Sequence, residues 1–362
     1  MRLLTGFPGF LGSALAERLL LRDEARLVAL VPARHRALAD ARAGEIEART
    51  GRRVEIVTGD LTADGLGLDD ESGAPPAWLG DVTHVFHLAA VYDLAVPDAL
   101  AERVNVGGTA RVLGLCARLP RLERLAYVST CYVSGRTPGL FGEDDLDVPG
   151  QRFANAYERT KHDAERLVRA AMAGGLPATI LRPSIVVGDA ETGATAKYDG
   201  PYGIVRYLLR WPARVPVPLP LFGRPSETAV NLVPRGFVVA ALDALAHDAA
   251  AAGETVALAD PAPLTVDALV AVLARACGRR VLPVPLPASW VGAAQRLPGL
   301  ERLTGITPAS LPYFTHPTRY ATTHARRLLA PHGIDVPPFE TYADRLVAFV
   351  RAHPSLPTTG LA

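Results

Sequence analysis

Tyr157 and Lys161 stand four residues apart in a run, Asn155 to Ala173, whose apolar residues recur at helical spacing. On a helix, positions i and i+4 share a face. The stripe passes through Tyr157, Thr160, Lys161, Ala164, Leu167, Val168 and Ala171, and the polar Glu158, Arg159, His162, Asp163, Glu165, Arg166 and Arg169 fill the other side. Lys161 therefore falls on the face expected to be buried, where an ammonium is costly without partners. One reason for such a placement is chemical. An ammonium beside a phenol favours the phenolate and lowers its pKa from about 10 towards working pH, as general acid-base catalysis requires. The same lysine could hold the ribose of a nicotinamide cofactor and so fix it beside a substrate. A lysine at the edge of the stripe that reaches out to solvent would give the same spacing.

A hydroxyl stands upstream, where an apolar run ends in Tyr127-Val128-Ser129-Thr130-Cys131. Open parallel sheets bind ligands beyond the carboxyl ends of their strands, which points Thr130 at such a crevice as a donor to a substrate oxygen. Ser129 is its near competitor, and strand alternation sends the two to opposite sides.

At the start of the chain, Thr5-Gly6-Phe7-Pro8-Gly9-Phe10-Leu11-Gly12 lies between a predicted strand and the amphipathic run Ser13 to Leu21. A pyrophosphate needs backbone N–H groups at close range and a helix N-terminus aimed at it, and glycine permits both. Gly6, Gly9 and Gly12 meet that need at GxxGxxG spacing, which differs from the GxGxxG dinucleotide fingerprint. Asp60, in Thr58-Gly59-Asp60-Leu61, could accept hydrogen bonds from an adenine ring, and serves equally well as a turn cap. After the second predicted strand the chain reads Leu30-Val31-Pro32-Ala33-Arg34-His35-Arg36, with no acid for a ribose 2′-hydroxyl. Arg34 or Arg36 could instead pair with a 2′-phosphate, so NADP(H) is the preferred cofactor and NAD(H) the second choice. As helix-surface charges they would need no ligand.

The elements that must position these groups are readable. Arg2 to Thr5, Leu27 to Val31, Val54 to Val57, His84 to Leu88, Leu125 to Ser129 and Thr179 to Leu181 read as strands, rich in Val, Ile and Leu, with helical patterns between most of them. That alternation is the pattern of a parallel sheet covered by helices. Asp64 to Gly80 reads as a surface connection, Thr137 to Gly150 as a turn region, and Arg34 to Arg49 as a solvated helix. From Gly188 the rhythm fades. Trp211 to Pro225 carries Pro212, Pro216, Pro218, Pro220 and Pro225, which excludes helix and central strand. Its Val215, Val217, Leu219, Leu221 and Phe222 could line a pocket, although packing on the sheet is the default.

Composition narrows the partners. Charge nearly cancels, 38 Lys+Arg against 37 Asp+Glu, so no global field draws in nucleic acid, and a small molecule is the better expectation. Cys116, Cys131 and Cys277 are too few and too scattered for a disulfide framework, which fits a cytoplasmic setting. No histidine cluster suggests a metal. No run approaches the ~18 apolar residues of a membrane span, and Met1 to Leu4 lead straight into a turn rather than into a signal peptide.

Taken together, TGFPGFLG (5–12), GDL (59–61), HLAA (87–90), NVGGT (105–109), VSTCYVSG (128–135), YERTK (157–161) and LRPSIVVGD (181–189) resemble the extended short-chain dehydrogenase/reductase family over nearly the whole chain. VSTCYVSG, NAYERTK and LRPSIVVGD look most similar to its thioester reductase and fatty acyl reductase branch, and Tyr313 to Phe349 resembles the closing segment of free-standing members. The resemblance implies an α/β fold, a doubly wound parallel sheet of Rossmann type. Residues 1–188 would be the dinucleotide-binding domain, with part of 228–260 returning to it, and 189–362 a smaller, irregular substrate-binding region. It implies Tyr157 as catalytic acid/base, Lys161 as its activator and Thr130 at the Ser/Thr position. Around the cofactor it places Gly6, Phe7, Pro8, Gly9, Phe10, Leu11, Gly12, Asp60, Leu61, Leu88, Ala89, Ala90, Pro183 and Ile185, with Tyr157 and Lys161. Asn105, in the motif's asparagine position, is expected to be mainly structural.

The activity implied is hydride transfer to or from the carbonyl or carbinol carbon of an apolar small molecule, an acyl thioester or a derived aldehyde or ketone among them. A nucleotide-sugar epimerase or dehydratase with tightly bound NAD is the alternative, and a non-catalytic dinucleotide sensor the third. Helices on the sheet's faces could mediate a homodimer.

Overall fold

The computed structural model describes residues 1–69, 73–92, 96–296 and 308–357. In chain order the first half runs β1 (Arg2–Thr5), α1 (Phe10–Arg22), β2 (Leu27–Val31), α2 (Arg36–Thr50), β3 (Glu55–Thr58), β4 (His84–His87), α3 (Asp98–Ala101), α4 (Gly108–Cys116) and β5 (Arg124–Val128). It continues through β6 (Gly139–Phe141), α5 (Ala156–Ala173), β7 (Ala178–Pro183) and β8 (Ile185–Val187). Then come α6 (Pro201–Arg210), β9 (Val217–Phe222), β10 (Leu232–Pro234), α7 (Arg235–His247), β11 (Thr255–Leu258), α8 (Val266–Cys277), β12 (Val281–Leu286) and β13 (Thr318–Tyr320).

Seven strands pair in parallel in the order β3-β2-β1-β4-β5-β7-β11. The six expected strands are all present; β1 and β2 have the expected bounds, and the other four are displaced at their ends by one or two residues. β3 starts at Glu55 rather than Val54, β4 stops at His87, β5 runs Arg124–Val128, and β7 extends to Pro183. The seventh, β11, was not among the expected strands, because Thr255–Leu258 is only four residues long and has alanine-rich flanks. Chain order reverses between β1 and β4, which opens a crevice at the strands' carboxyl ends.

Helices cover both faces, which is why the strands are near-continuous apolar runs. Alternation divides neighbours between two cores: Leu4 packs with Leu15, Leu19, Val238 and Leu242 on one side, and Leu3 with Val28, Val85, Val112 and Val168 on the other. Each such fully buried side chain contributes about 1.5–3 kcal/mol of burial. The stretch from Asp64 to Gly80, expected as a surface connection, sends Leu66 and Leu79 into the second of these cores, and its residues 70–72 lie outside those described.

A third core gathers Val187, Tyr202, Leu208, Leu273 and Leu346 with Val217, Leu219, Leu221 and Phe222, so all the proline-rich apolar residues singled out in the sequence pack here except Val215, which is exposed. Pro218 and Pro220 did not prevent a strand. β9 and β12 form a two-stranded parallel ribbon, with Val217 N–H donating to the Arg280 carbonyl and Gly223 N–H to that of Leu286. Because strand residues alternate, Pro218 and Pro220 on one strand and Pro283 and Pro285 on the other fall at positions that face away from the partner, where no ladder bond is lost.

One sequence expectation about α5 is corrected. Its polar side is not all solvated: Glu158, His162 and Glu165 are buried. Asn155 caps the helix, its side chain accepting from Glu158 N–H at 3.0 Å, while Glu158 accepts from the N–H of Ala154, just before the cap, at 2.8 Å. Glu165 is held by arginines, as described below.

Candidate active site

Four segments meet beyond the carboxyl ends of the strands: the turn after β1, the residues after β4 and β5, and the first turns of α5. The turn after β1 folds as its glycines require. Gly6 has φ +90°, and a Cβ there would lie 2.8 Å from Ala89 N; a Cβ on Gly12 would run into the Gly6 carbonyl oxygen. α1 starts at Phe10, with Gly9 at its cap and no side chain bonded to its N-terminal N–H groups. An uncapped helix N-terminus behind close-packed glycines suits a bound pyrophosphate, so the residues present fit a dinucleotide.

Leu88, Ala89 and Ala90 follow β4 and flank this turn, with Ala89 N–H donating to Thr5 Oγ1 at 3.2 Å. Asp60 adopts the turn-cap geometry, accepting at Oδ1 from Thr62 N–H (2.7 Å) and Thr62 hydroxyl (2.8 Å). Those bonds, Thr62 N–H foremost, hold its carboxyl below the usual range. Leu61 packs against Gly108 of α4. Arg34 and Arg36 are exposed at the carboxyl end of β2; Arg36 pairs with Asp40 at 2.9 Å and Arg34 donates to His35 Nε2 at 3.2 Å.

Strand alternation separates Ser129 from Thr130 as expected. Ser129 donates to Glu165 at 2.6 Å, whereas Thr130 lies on the side of the Tyr157 phenol, close enough to favour its ionised form. Thr130 also donates to the Pro183 carbonyl (3.4 Å) and accepts from Tyr132 N–H (3.3 Å), which fixes its hydroxyl. Tyr157 is half-buried in the first turn of α5. Burial pushes its phenol up to about 12, outweighing the opposing influence of the Thr130 hydroxyl. The lowering expected from Lys161 is therefore not found. Lys161 instead donates to the Val128 carbonyl at 2.7 Å and to Tyr127 Oη at 3.0 Å, and its Nζ lies 4.4 Å from the Tyr127 ring centroid. Burial brings its pKa down to about 7, with Glu165 acting against the shift.

Thr130 and Tyr157 are thus brought side by side, and Lys161, one turn further along α5, is bonded to Tyr127 and the Val128 carbonyl at the end of the same strand. Asn105 has the structural setting expected: its side chain bonds both backbone groups of Val91 (2.8 and 3.0 Å) and Thr160 Oγ1 (3.0 Å), fastening the segment after β4 to α5.

The sequence reading missed Tyr127, which looks like one more core residue in an apolar strand. A signal lay in the composition: of 38 Lys+Arg, only Lys161 and Lys197 are lysines. Where arginine is used almost everywhere, a buried lysine marks a site that needs a cation able to release its proton. Lys197 is near the same place, its Nζ 4.3 Å from the centroid of Tyr92, which in turn perturbs Tyr157 electrostatically.

Residues 4–242 match the NAD-binding family described as male sterility protein. The chain belongs to this family, within the extended short-chain dehydrogenases/reductases. It is 32% identical over 214 residues to glycine betaine reductase of Emericella nidulans, covering 54% of this chain and 16% of that one. It is 30% identical over 224 residues to the L-2-aminoadipate reductase large subunit of Penicillium chrysogenum, covering 54% of this chain and 15% of that one. The chain therefore spans only a small part of these relatives. Among solved structures, the terminal R domain of the myxalamid PKS-NRPS biosynthetic pathway superposes with TM-score 0.80 at 26% identity, covering 98% of this chain and 92% of that one. UDP-glucuronic acid 4-epimerase from Bacillus cereus, in complex with NAD, follows at TM-score 0.67 and 19% identity, covering 97% of each, a likeness of fold alone. Among the described residues no helix is long and apolar enough to cross a membrane.

Proposed function

We propose that the chain is an NADPH-dependent reductase of an apolar carbonyl compound, with acyl thioesters and their aldehydes the leading substrate class. The observation that carries this reading is the placing of Thr130 beside the Tyr157 phenol at the carboxyl end of β5, one helical turn from Lys161. Likeness to the R domain and to glycine betaine reductase supports it. Gly6, Gly9, Gly12 and the N-terminus of α1 would hold the pyrophosphate, Arg34 and Arg36 the 2′-phosphate, and Lys161 the nicotinamide ribose. The bound nicotinamide supplies the hydride.

Each side chain then has a task its position suits. Thr130 would turn its one hydroxyl hydrogen from the Pro183 carbonyl, a long 3.4 Å contact, to the substrate oxygen and stabilise the charge that develops there. Tyr157, with its pKa near 12, is a protonated phenol at neutral pH and gives its proton to that oxygen, a direction that suits reduction. Lys161, bonded to Tyr127 and the Val128 carbonyl, would hold the cofactor beside that phenol rather than lower its pKa. Cys116, Cys131 and Cys277 are free and buried, which suits the reducing, cytoplasmic setting read from the sequence.

The test is turnover of NADPH against NADH with a panel of ketones, aldehydes and acyl thioesters. Tyr157→Phe is expected to lower kcat by roughly 10²–10⁴-fold while NADPH affinity, measured by fluorescence titration, stays nearly constant. Full activity in that variant would refute the role assigned to Tyr157. Purified protein carrying tight, non-exchanging NAD would overturn the reductase reading in favour of an epimerase.

A further inference from the structure

Tyr313 reaches the site from the far end of the chain, and the scheme above gives it no task. It belongs to the helical turn Pro308–Thr315, which Arg136 fixes by donating to the carbonyls of Pro312 (3.1 Å) and Thr315 (2.8 Å), on either side of Tyr313. The Tyr313 hydroxyl donates to Glu158 Oε1 at 2.8 Å and accepts from Asn155 Nδ2 at 3.0 Å. Asn155 and Glu158 stand on either side of Tyr157 at the start of α5. The Tyr313 ring also meets that of Tyr132 edge to face, with centroids 4.7 Å apart and planes at 88°. Tyr132 in turn donates its backbone N–H to the Thr130 hydroxyl at 3.3 Å. One side chain thus holds both the turn that carries Tyr157 and the turn that carries Thr130.

Those two groups come from separate elements, so something must set one against the other. Direct ties between the elements stop short of the helix: Arg136 N–H donates to the Arg152 carbonyl at 2.8 Å, and Gln151 Nε2 to the Val133 carbonyl at 2.5 Å. Both lie ahead of the cap of α5 and leave the first helical turn, with Tyr157 on it, to the bonds at the cap. There Glu158 is fully buried, and a buried carboxyl group is costly without donors. Its two donors are Ala154 N–H and the Tyr313 hydroxyl, so the place of Tyr313 dictates where Glu158, and with it the turn, comes to rest. Arg136 holds Tyr313 by the backbone, which makes it a fixed post for both neighbours.

We propose that Tyr313 is a positioning residue that sets Tyr157 against Thr130, acting through Asn155 and Glu158 on one side and Tyr132 on the other. The proposal rests on the reading of Thr130 and Tyr157 as the donor and the acid of a reductase site. It gives the closing segment of the chain a share in the chemistry as well as in the packing. Tyr313→Phe keeps the ring against Tyr132 and the clamp of Arg136 and removes the hydroxyl alone. Glu158 is then left with Ala154 N–H, and the first turn of α5 shifts towards another donor, because a buried acceptor left unmatched is expensive. A misplaced acid slows the chemical step without changing what binds. Turnover number is therefore expected to fall on the order of tenfold, with KM and NADPH affinity each within about twofold of the unsubstituted chain.

A readout independent of turnover is the Thr130 methyl in protein carrying ¹³C-methyl threonine. Thr130→Ser, which keeps the hydroxyl, assigns the resonance by removing it, and Tyr157→Phe shows how far it moves when the phenol beside it changes. Tyr313→Phe should move it. Tyr207→Phe, which loses a 2.9 Å bond to the Pro218 carbonyl in the third core, should not. A folded Tyr313→Phe whose Thr130 methyl stays in place overturns the proposal, and so does a methyl that Tyr207→Phe moves as far. An unchanged kcat in Tyr313→Phe, where the unsubstituted chain turns over, overturns it too. Should that variant fail to fold, Asn155→Ser keeps an acceptor for the helix cap but is too short to reach Tyr313. The same change in the methyl, smaller in size, is expected there, and its absence overturns the proposal equally. A protein that reduces none of the panel with NADPH, yet whose Thr130 methyl moves in Tyr313→Phe, sinks the reductase reading and leaves the positioning by Tyr313 standing. Normal turnover with an unmoved methyl does the reverse.

Discussion

Lys161 and Glu165 sit one turn apart on α5, both buried, and the fold treats them in opposite ways. Glu165 accepts from Arg182 at 2.6 Å, from Arg169 at 3.1 Å and from Ser129 at 2.6 Å. Burial pushes its pKa up, the arginines outweigh that, and the net shift is downward. Lys161 has two neutral oxygens as partners, and burial carries it down to the edge of ionising at neutral pH. Glu165 is a fixed charge that ties α5 to β7. Lys161 is a charge kept conditional. A buried ion matched by counter-ions serves structure, and one held by dipoles is free to exchange its proton, a distinction that separates supporting from chemical groups within a single helix.

The comparison breaks most severely at Arg182, which is 1% exposed and donates to Glu165 and to the carbonyls of Gly142, Glu143 and Asp145. Arg182→Met leaves a buried carboxylate underpaired, and a loss of about 3–5 kcal/mol is expected in urea unfolding. Adding Glu165→Gln should recover part of it; if the double variant is no more stable than the single, Glu165 is not the charge that Arg182 balances.

Lys161 gives a smaller and pH-dependent effect. Its folded pKa, about 7, lies below the ordinary 10.5, so between those values the unfolded chain binds more protons than the folded one. Stability should rise with pH across that window, by up to ~1.4 kcal/mol per pH unit, and Lys161→Met should flatten the rise. Glu165 has the opposite sign: with its folded pKa lowered, its contribution is present above pH 4.5 and is lost as pH falls through the folded value. Equal slopes for Lys161→Met and the unsubstituted chain would show that Lys161 is not the group titrating.

Smallest is the change at the exposed end of the site, where water screens what burial amplifies around α5. Arg34→Ala with Arg36→Ala is expected to weaken NADPH relative to NADH on the order of tenfold, read by competitive binding. An unchanged ratio would remove these arginines from the 2′-phosphate.

What the sequence revealed follows the range of each interaction. β1, β2 and the glycine turn were legible because strand runs and tight turns are decided by neighbouring residues. The misfit of Lys161 was legible too, since helical periodicity places it on an apolar stripe. Its partners were not. Tyr127 and the Val128 carbonyl come from β5, and nothing local marks a tyrosine in Leu125-Ala126-Tyr127-Val128 as an acceptor for a lysine 34 residues on. The same holds for Glu165. Periodicity assigned it to the polar side of α5, and only the packing of β7 supplies the Arg182 that makes its burial tolerable. The expectation that Lys161 lowers the Tyr157 pKa failed for a related reason, because spacing gives a shared face and says nothing of which neighbour the ammonium meets first.

The alternating prolines of β9 and β12 carry a consequence for the molecule's life among other proteins. A bare ribbon edge is a template on which a foreign strand can dock, and its unpaired N–H groups are what the newcomer binds. Here both rims lack those donors at Pro218, Pro220, Pro283 and Pro285. The ribbon therefore buries the apolar side chains of β9 in the third core while its two rims offer a docking strand fewer N–H groups to bind.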